Sequence, residues 1–596
     1  MEIHYKKNKN EELFQEFADE KLVNMNSIQN YIPIYQTFFN LNETNYNSIN
    51  LNNFYKLDSI KEKVGYSMFN GTIIDNSDNI TDKKIFIKYS PLIDPVKYMI
   101  GKYDNCYNIL GLPVFGDNNI IPKIIDTNNS AYIDGFFSYL SSLLLNKYSF
   151  INGIDYYGSY LGIKNNFTVD VEDDLEYLDD SEYFHEQNNI LFRIEENKNY
   201  KNLFSNTKKC KLALVIDDTI ISDDDFGICN LDNDFSICNL DNDFSICNLD
   251  DENDKDINRE TETENDNAEC NLYKTNLEIE YTKTDDENTA NKKKVKTNEQ
   301  NESSSSCSSR YSNTESSKNN DSECDDDDDD DVSGDESDAS SDDDSEEELL
   351  ATIFKFPVQA IALECCDDTL DSHIINNKIK DNEWESIILQ IVMSLITYQK
   401  VFNFTHNDLH TNNVVYNHTE KQYLYYKYDN KHYKVPTFGK IYKIIDFGRA
   451  IYTIKGNLIC SDSYAPDGDA YTQYNTEPYL NEDKPRIDPN YSFDLCRLGC
   501  SLFDYFIDEI DDIKHIRSPI KKTIIEWVFD NSNKNILYKK NGEERYPDFK
   551  LYKMIARTVN NHTPQNVIKK PVFEKYLFSK KKKLNIFNID TLPVLS

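Results

Sequence analysis

Apolar positions along this chain gather in short runs and two longer ones, and the spacing inside each run sets the first structural expectations. Within residues 61–91, V-G-Y-S-M-F-N-G-T-I-I and K-K-I-F-I-K-Y flank the turn-forming D-N-S-D-N-I-T-D, which predicts two strands of a hairpin. Residues 131–145, A-Y-I-D-G-F-F-S-Y-L-S-S-L-L-L, are long and apolar enough for a mostly buried helix, although Gly135 weakens it. Segments 156–163 and 190–194 read as further short strands. Residues 351–366 form a near-continuous apolar run that ends at Asp367 and Asp368, the signature of a strand buried on both faces. Next, residues 381–402 carry Ile387, Ile388, Ile391, Leu395 and Ile396 at helical spacing. From there to the C-terminus the signals are mainly helical. The first 55 residues are polar and Asn-rich, with interleaved aromatics and no motif.

Charge changes this picture in one place. The chain has 596 residues, with 64 Lys+Arg against 105 Asp+Glu, a formal net charge of −41. Residues 217–348 hold 45 acidic and 10 basic residues, so one segment accounts for nearly the whole imbalance. A generally basic nucleic-acid binder is excluded, and no direct nucleic-acid binding is expected. That segment is too charged and too poor in apolar residues to offset the entropy of ordering, and it reads as disordered. It begins with D-F-G-I-C-N-L-D-N, D-F-S-I-C-N-L-D-N and D-F-S-I-C-N-L-D-D, a repeat of period nine. Solenoid units usually need about 20 residues, so three such copies look like slippage of the coding sequence rather than a stacked fold. Asp321 to Glu348 then packs 18 acids and no base into 28 residues, which reads as a solvated tether, with a basic protein as the partner its charge would attract.

Thirteen cysteines cannot all pair within one chain, and no C-x-x-C ladder for zinc is present. No uncharged apolar run approaches the roughly 18 residues that span a bilayer, and the N-terminal residues lack the apolar stretch of a secretory signal. The expectation is a soluble intracellular protein with free thiols and no membrane segment.

Three fragments carry chemistry, and their order matters more than any one of them. Lys88 lies in I-F-I-K on a predicted strand. H-N-D-L-H-T-N-N, from His406 to Asn413, follows the 381–402 helix. Y-K-I-I-D-F-G-R-A contains Asp446, Phe447 and Gly448. Asn413 stands five positions after Asp408, so one short loop carries both a carboxylate and an amide. A D-F-G alone is weak, and the repeat contains one at Asp225–Gly227 with no strand before it.

Together the fragments resemble the eukaryotic-type protein kinase signature of a strand-three lysine, a His-x-Asp-x-x-x-x-Asn loop and Asp-Phe-Gly. In its Asn- and Tyr-rich style the chain resembles the serine/threonine protein kinases of giant DNA viruses of the mimivirus type. The resemblance implies an α+β, two-lobed protein kinase-like fold with a small β-rich N-lobe and a mainly helical C-lobe. Residues 1–55 would be an N-terminal extension, 56–216 the first part of the N-lobe and 217–350 the acidic insert. Residues 351–366 would form the last N-lobe strand and hinge, 367–580 the C-lobe and 581–596 a tail. It implies ATP and Mg2+ as cofactors, Ser/Thr hydroxyls of proteins as acceptors, and a place in the host cytoplasm with packaging in the virion. By position, Asp408 would be the catalytic base, Asn413 and Asp446 the metal ligands, and Lys88 the phosphate-binding lysine with Asp134 as its acidic partner. Gly65 and Gly71 would belong to the glycine-rich loop, and backbone groups of Glu364 and Cys366 would meet the adenine. Asp494, in Y-S-F-D-L-C-R-L-G-C, would support the catalytic loop from beneath, with Gly499 at the matching offset.

Departures are specific. The G-x-G-x-x-G spacing is missing, Asp134 replaces the usual helix glutamate, and Asn407 replaces the arginine that pairs with an activation-loop phosphate. His410 stands where a lysine is usual, and Ala-Pro-Glu is absent, the nearest trace being T-E-P-Y at 476–479. The same loop is similar to the H-x-D-L-H-x-x-N of small-molecule kinases related to the aminoglycoside and choline phosphotransferases, which supplies a rival acceptor class. A pseudokinase scaffold that binds nucleotide without turnover is the third alternative. Retention of Lys88, Asp408, Asn413 and Asp446 together weighs against it.

Overall fold

Alternation of apolar side chains along adjacent strands builds the N-terminal half around one antiparallel sheet. The computed structural model describes residues 3–7, 10–103, 107–116, 119–194, 349–579 and 584–596. The nine-residue repeat, the acidic run and the rest of the 217–348 insert therefore lie outside the described residues, as does the basic cluster at 580–583. The sheet's strands are β1 (Met25–Gln29), β2 (Lys56–Lys63), β3 (Met68–Ile74), β4 (Ile80–Pro91), β5 (Tyr156–Asp170), β6 (Phe192–Ile194) and β7 (Leu350–Glu364). Their order is β1-β5-β7-β4-β3-β2, with β6 also pairing with β7. The expected hairpin is β3 and β4, in register from Met68 opposite Phe86 to Ile74 opposite Ile80. β7 lies between β4 and β5, so the apolar 351–366 run is covered on both edges, and Lys88 sits opposite Ile361.

Helix α1 (Ser130–Tyr148) crosses this sheet, buried at every position from Ala131 to Leu144. Such all-round burial is why its sequence shows little amphipathic contrast. Gly135 serves the packing, since a Cβ there would come within 2.1 Å of the Gln359 side chain on β7. Asn129 caps the helix by accepting from the Ala131 N–H and ties it down by donating to the carbonyls of Leu92 and Lys123.

The C-terminal half contains α2 (Asp381–Phe402), α3 (Phe493–Phe506) and α4 (Phe549–Thr558). Helix α2 has the bounds expected from its spacing and ends at Asn403 in a left-handed conformation, φ 52°. The mainly helical expectation needs correction between residues 414 and 460, where several strands occur. Val414–His418 pairs with Lys440–Ile444, Tyr423–Tyr428 with Lys431–Pro436, and Ile451–Ile454 with Asn457–Cys460. Tyrosines at alternate positions, as in Y-L-Y-Y-K-Y, have period two rather than 3.6, and Leu424 and Tyr426 point inward from that strand.

Both termini are more integrated than an extension and a tail. In the first 55 residues Phe17, Tyr31, Ile32, Ile34 and Tyr35 are core residues, and β1 extends the sheet by pairing with β5. At the other end, Phe587–Asn588 pairs in parallel with Tyr426–Lys427. Among the described residues no helix is long and apolar enough to cross a membrane.

Candidate active site

On β4 the side chains of Ile85, Ile87 and Tyr89 are buried on one face, leaving Lys88 to project from the other toward α1. Its ammonium meets two carboxylates, Asp134 Oδ2 at 2.8 Å and Asp446 Oδ1 at 2.7 Å. Asp134 is the one acid inside the buried stretch of α1, where an unpaired charge would be costly. Its second oxygen accepts from the Phe447 N–H at 2.9 Å. Burial works against the charge on Lys88, yet the two carboxylates outweigh it and hold the amine above its ordinary pKa. Burial raises Asp134, helped by the charge of Asp446, against the pull of Lys88. Asp446 is also buried, but Lys88 beside it keeps its carboxyl below the usual range. Two acids facing one base leave an excess negative charge at this point.

Asp446 has φ 64°, and the Phe447 ring after it is fixed by a nest of aromatic side chains. Phe137 of α1 lies 4.6 Å from the Phe447 ring and stacks on Phe404 at 4.3 Å, and His406 closes the group at 5.8 Å. The pairing of Val414 with Ile444 puts Asn413 and Asp446 at the same end of two neighbouring strands, and the Ile445 N–H donates to the Asn413 carbonyl at 3.0 Å.

The His406–Asn413 loop is held from beneath by α3. Asp494, fully buried, accepts from the N–H of His406 at 3.0 and 3.1 Å and of Asn407 at 2.8 Å. Burial raises its pKa, opposed by His406 and these N–H groups. His406 Nε2 donates to the Ile445 carbonyl at 2.9 Å, which leaves Nδ1 to accept from the Asp408 N–H at 3.3 Å. Asn407, in the arginine's place, accepts from the Tyr474 hydroxyl at 2.8 Å and donates to the Arg449 carbonyl at 3.0 Å. Asn413 Nδ2 donates to the Asp408 carbonyl at 2.9 Å and to His410 Nε2 at 3.0 Å. Burial pulls His410 down to about 4, so its ring is neutral at pH 7 and able to accept that bond.

Three buried oxygens here have no hydrogen-bond partner, Asp134 Oδ2, which faces Lys88 only as an ion pair, Asn413 Oδ1 and Asp446 Oδ2. Orphaned buried acceptors are rare, and a hard cation is one group that satisfies them. Among the described residues no group of three or more His, Cys, Asp or Glu could hold a metal ion. Magnesium bound together with phosphates, however, takes only one or two carboxylates from the protein, so this donor set fits that ion.

The other sequence-derived residues fall elsewhere. Gly65 lies in the turn between β2 and β3, where its N–H donates to the Met68 carbonyl at 3.1 Å. Gly71 lies within β3 opposite Lys83 and Ile60, and a Cβ there would sit 2.3 Å from the Ser59 carbonyl. Its smallness thus serves strand packing. Glu364 ends β7 as a hub, pairing with Lys443, accepting from Asn417 and the Asp155 N–H at 2.8 Å each, and giving its own N–H to the Asp155 carbonyl. Burial pushes the Cys366 thiol up, which leaves it protonated. The structure therefore gathers Lys88, Asp134, Asp446, Asn413 and Asp408, and gives no direct contact from Gly65, Gly71 or Cys366 to them among the described residues.

Sequence reasoning missed Arg449, Arg497 and Tyr552. Arg449 Nη1 lies 3.6 Å from Asp408 Oδ2, and the Tyr552 hydroxyl donates to Asp408 Oδ1 at 2.8 Å. Arg449 follows D-F-G directly and was findable on that ground, whereas Tyr552 is one of 41 tyrosines with no local signal. No family model matches the chain, and no curated protein matches its sequence.

Proposed function

We propose that the chain is an ATP-dependent protein kinase that transfers the γ-phosphoryl group to Ser/Thr hydroxyls of proteins, on a two-lobed protein kinase-like fold. The observation that carries this reading is the meeting of Lys88, Asp408, Asn413 and Asp446 in one place, with Asn413 Oδ1 and Asp446 Oδ2 buried and unpaired. With β1 set aside, Lys88 is on the third strand of the sheet and Glu364 ends its last long one, whose first residue, Leu350, is where the proposed 217–350 insert ends. Closing a long loop adds little cost, because closure entropy grows only logarithmically with length.

In this reading Lys88 binds the α- and β-phosphates, sharing its charge with Asp134 and Asp446. Asn413 and Asp446 would hold magnesium, which when bound neutralises charge on the phosphates. Asp408 orients the acceptor hydroxyl and takes its proton as the O–P bond forms. The Phe447 nest and the Asp494 support favour a protein acceptor over a small molecule, because those features came with the protein kinase resemblance. For the acidic insert the proposed partner is a basic protein.

Incubated with labelled ATP and magnesium, the full chain is expected to label protein acceptors. Asp408→Asn should lower transfer by about 10²- to 10⁴-fold with folding and nucleotide binding retained. Equal label from the variant and the wild type would remove Asp408 from its role. Label on metabolites alone would favour the small-molecule class, and nucleotide binding without turnover the scaffold.

A further inference from the structure

The surroundings of Asp408 carry an inference that rests on its proposed role as proton acceptor. Its carboxylate is closed off, with the residue only 3% exposed. Oδ1 accepts the Tyr552 hydroxyl at 2.8 Å, and Arg449 stands 3.6 Å from Oδ2. Tyr552 projects from α4 and is itself buried, its ring stacked on Phe549 with centroids 5.4 Å apart. Its oxygen accepts from Arg497 Nε at 2.8 Å, and the guanidinium groups of Arg497 and Arg449 lie 5.2 and 5.6 Å from its ring.

A hydroxyl donating to the base at 2.8 Å is the arrangement an acceptor alcohol must adopt before transfer, for which about 2.6–3.2 Å is required. Asp408 cannot present the same oxygen to Tyr552 and to a substrate from the same side. We propose that Tyr552 occupies the acceptor's place and that α4 is an autoinhibitory plug, so that an acceptor hydroxyl reaches Asp408 only when Tyr552 withdraws. Helix α4 follows Asp548 at φ 57° with no side-chain cap, its buried residues Tyr552, Ile555 and Ala556 belong to the smaller of the two hydrophobic clusters, apart from the main core, and it is tied at its far end by Arg557 donating to the Thr472 carbonyl at 2.9 Å. Withdrawal would also bare Arg497, which makes no ion pair among the described residues and would stand beside the incoming hydroxyl.

The test is steady-state phosphorylation of dephosphorylated casein by the full chain and by Tyr552→Phe, which keeps the stacked ring and removes only the competing hydroxyl. The expected result is an acceptor KM lowered about tenfold or more, with kcat and the KM for ATP unchanged, the size set by the loss of the hydroxyl's hydrogen bonds to Asp408 and Arg497. An unchanged or raised acceptor KM overturns the plug. So does phosphate recovered on Tyr552 by mass spectrometry, which would make that hydroxyl an acceptor. No transfer by either protein overturns the role given to Asp408 and the plug with it, whereas transfer without the KM change overturns the plug alone. A second measurement needs no variant. Hydrogen exchange across residues 549–558 of the unaltered chain should quicken on adding casein, and unaltered exchange counts against the plug.

Discussion

The two halves of the candidate site are fixed by different physics. Lys88, Asp134 and Asp446 come from a strand, a helix and a strand end far apart in sequence, and charge holds them together. The His406–Asn413 loop is held by main-chain N–H groups on Asp494 and by side-chain hydrogen bonds from His406, Asn407 and Asn413. In the proposed reading the ionic half would rearrange as phosphates and a cation entered, because each partner can exchange one charge for another. The loop's main chain is held by bonds within the protein, and only its Asp408 carboxylate, paired with Tyr552 and Arg449, has partners to exchange. One region is built to respond and the other to stay put.

The strongest test of that contrast is Asp494→Ala. It strands the buried N–H groups of His406 and Asn407, and unpaired donors cost about 1–3 kcal/mol each, so a loss of about 3 kcal/mol is expected in denaturant unfolding. A loss under about 1 kcal/mol would mean that the loop holds itself.

A comparable effect is expected from acid at His410. Its folded pKa of about 4 lies below the unfolded value of about 6.5. Between those values the unfolded chain binds a proton that the folded one refuses, so stability falls as pH drops through that window, by about 3 kcal/mol in all. In His410→Gln this part of the slope should vanish. Unfolding curves for the two proteins that stay parallel from pH 7 to 4 would contradict a neutral, buried ring.

The smallest effect belongs to the ionic half. Burial raises Asp134 despite Lys88, so the charged form gains little there, and Asp446 remains to pair with the lysine. Asp134→Asn is therefore expected to change stability by less than about 1 kcal/mol at pH 7. A loss of about 3 kcal/mol would show that the trio acts as a structural pair rather than as a responsive one.

How much of the fold and site could be read from the residues varied with the local physics. The β3–β4 hairpin, α1, α2 and β7 were legible, because each is a run of apolar residues long enough to dominate its neighbours. The first 55 residues were not. Their asparagines satisfy one another and the backbone, as where Asn10 donates to Asn30 at 2.6 Å and Asn47 accepts from the N–H groups of Asn30 and Tyr31, so polar sequence covers a packed segment. The strands between 414 and 460 were hidden by tyrosines, which fit either periodicity. At the site, residues in a fixed local spacing were found, namely Asp408, Asn413 and Asp446. Asp134 was located only through the expected partner of Lys88. Tyr552 arrives from 144 positions away, and no local pattern announces a tertiary contact of that span.

At the centre of the proposed chemistry, Asp446 and Asn413 would hold magnesium beside the nucleotide phosphates that Lys88 would bind. Calorimetric titration with a non-hydrolysable ATP analogue, with and without magnesium, tests this most directly. Magnesium is expected to tighten binding to the wild-type chain by about tenfold or more and to leave Asp446→Asn nearly unaffected. The same magnesium dependence in both proteins, or no nucleotide binding by either, would contradict it.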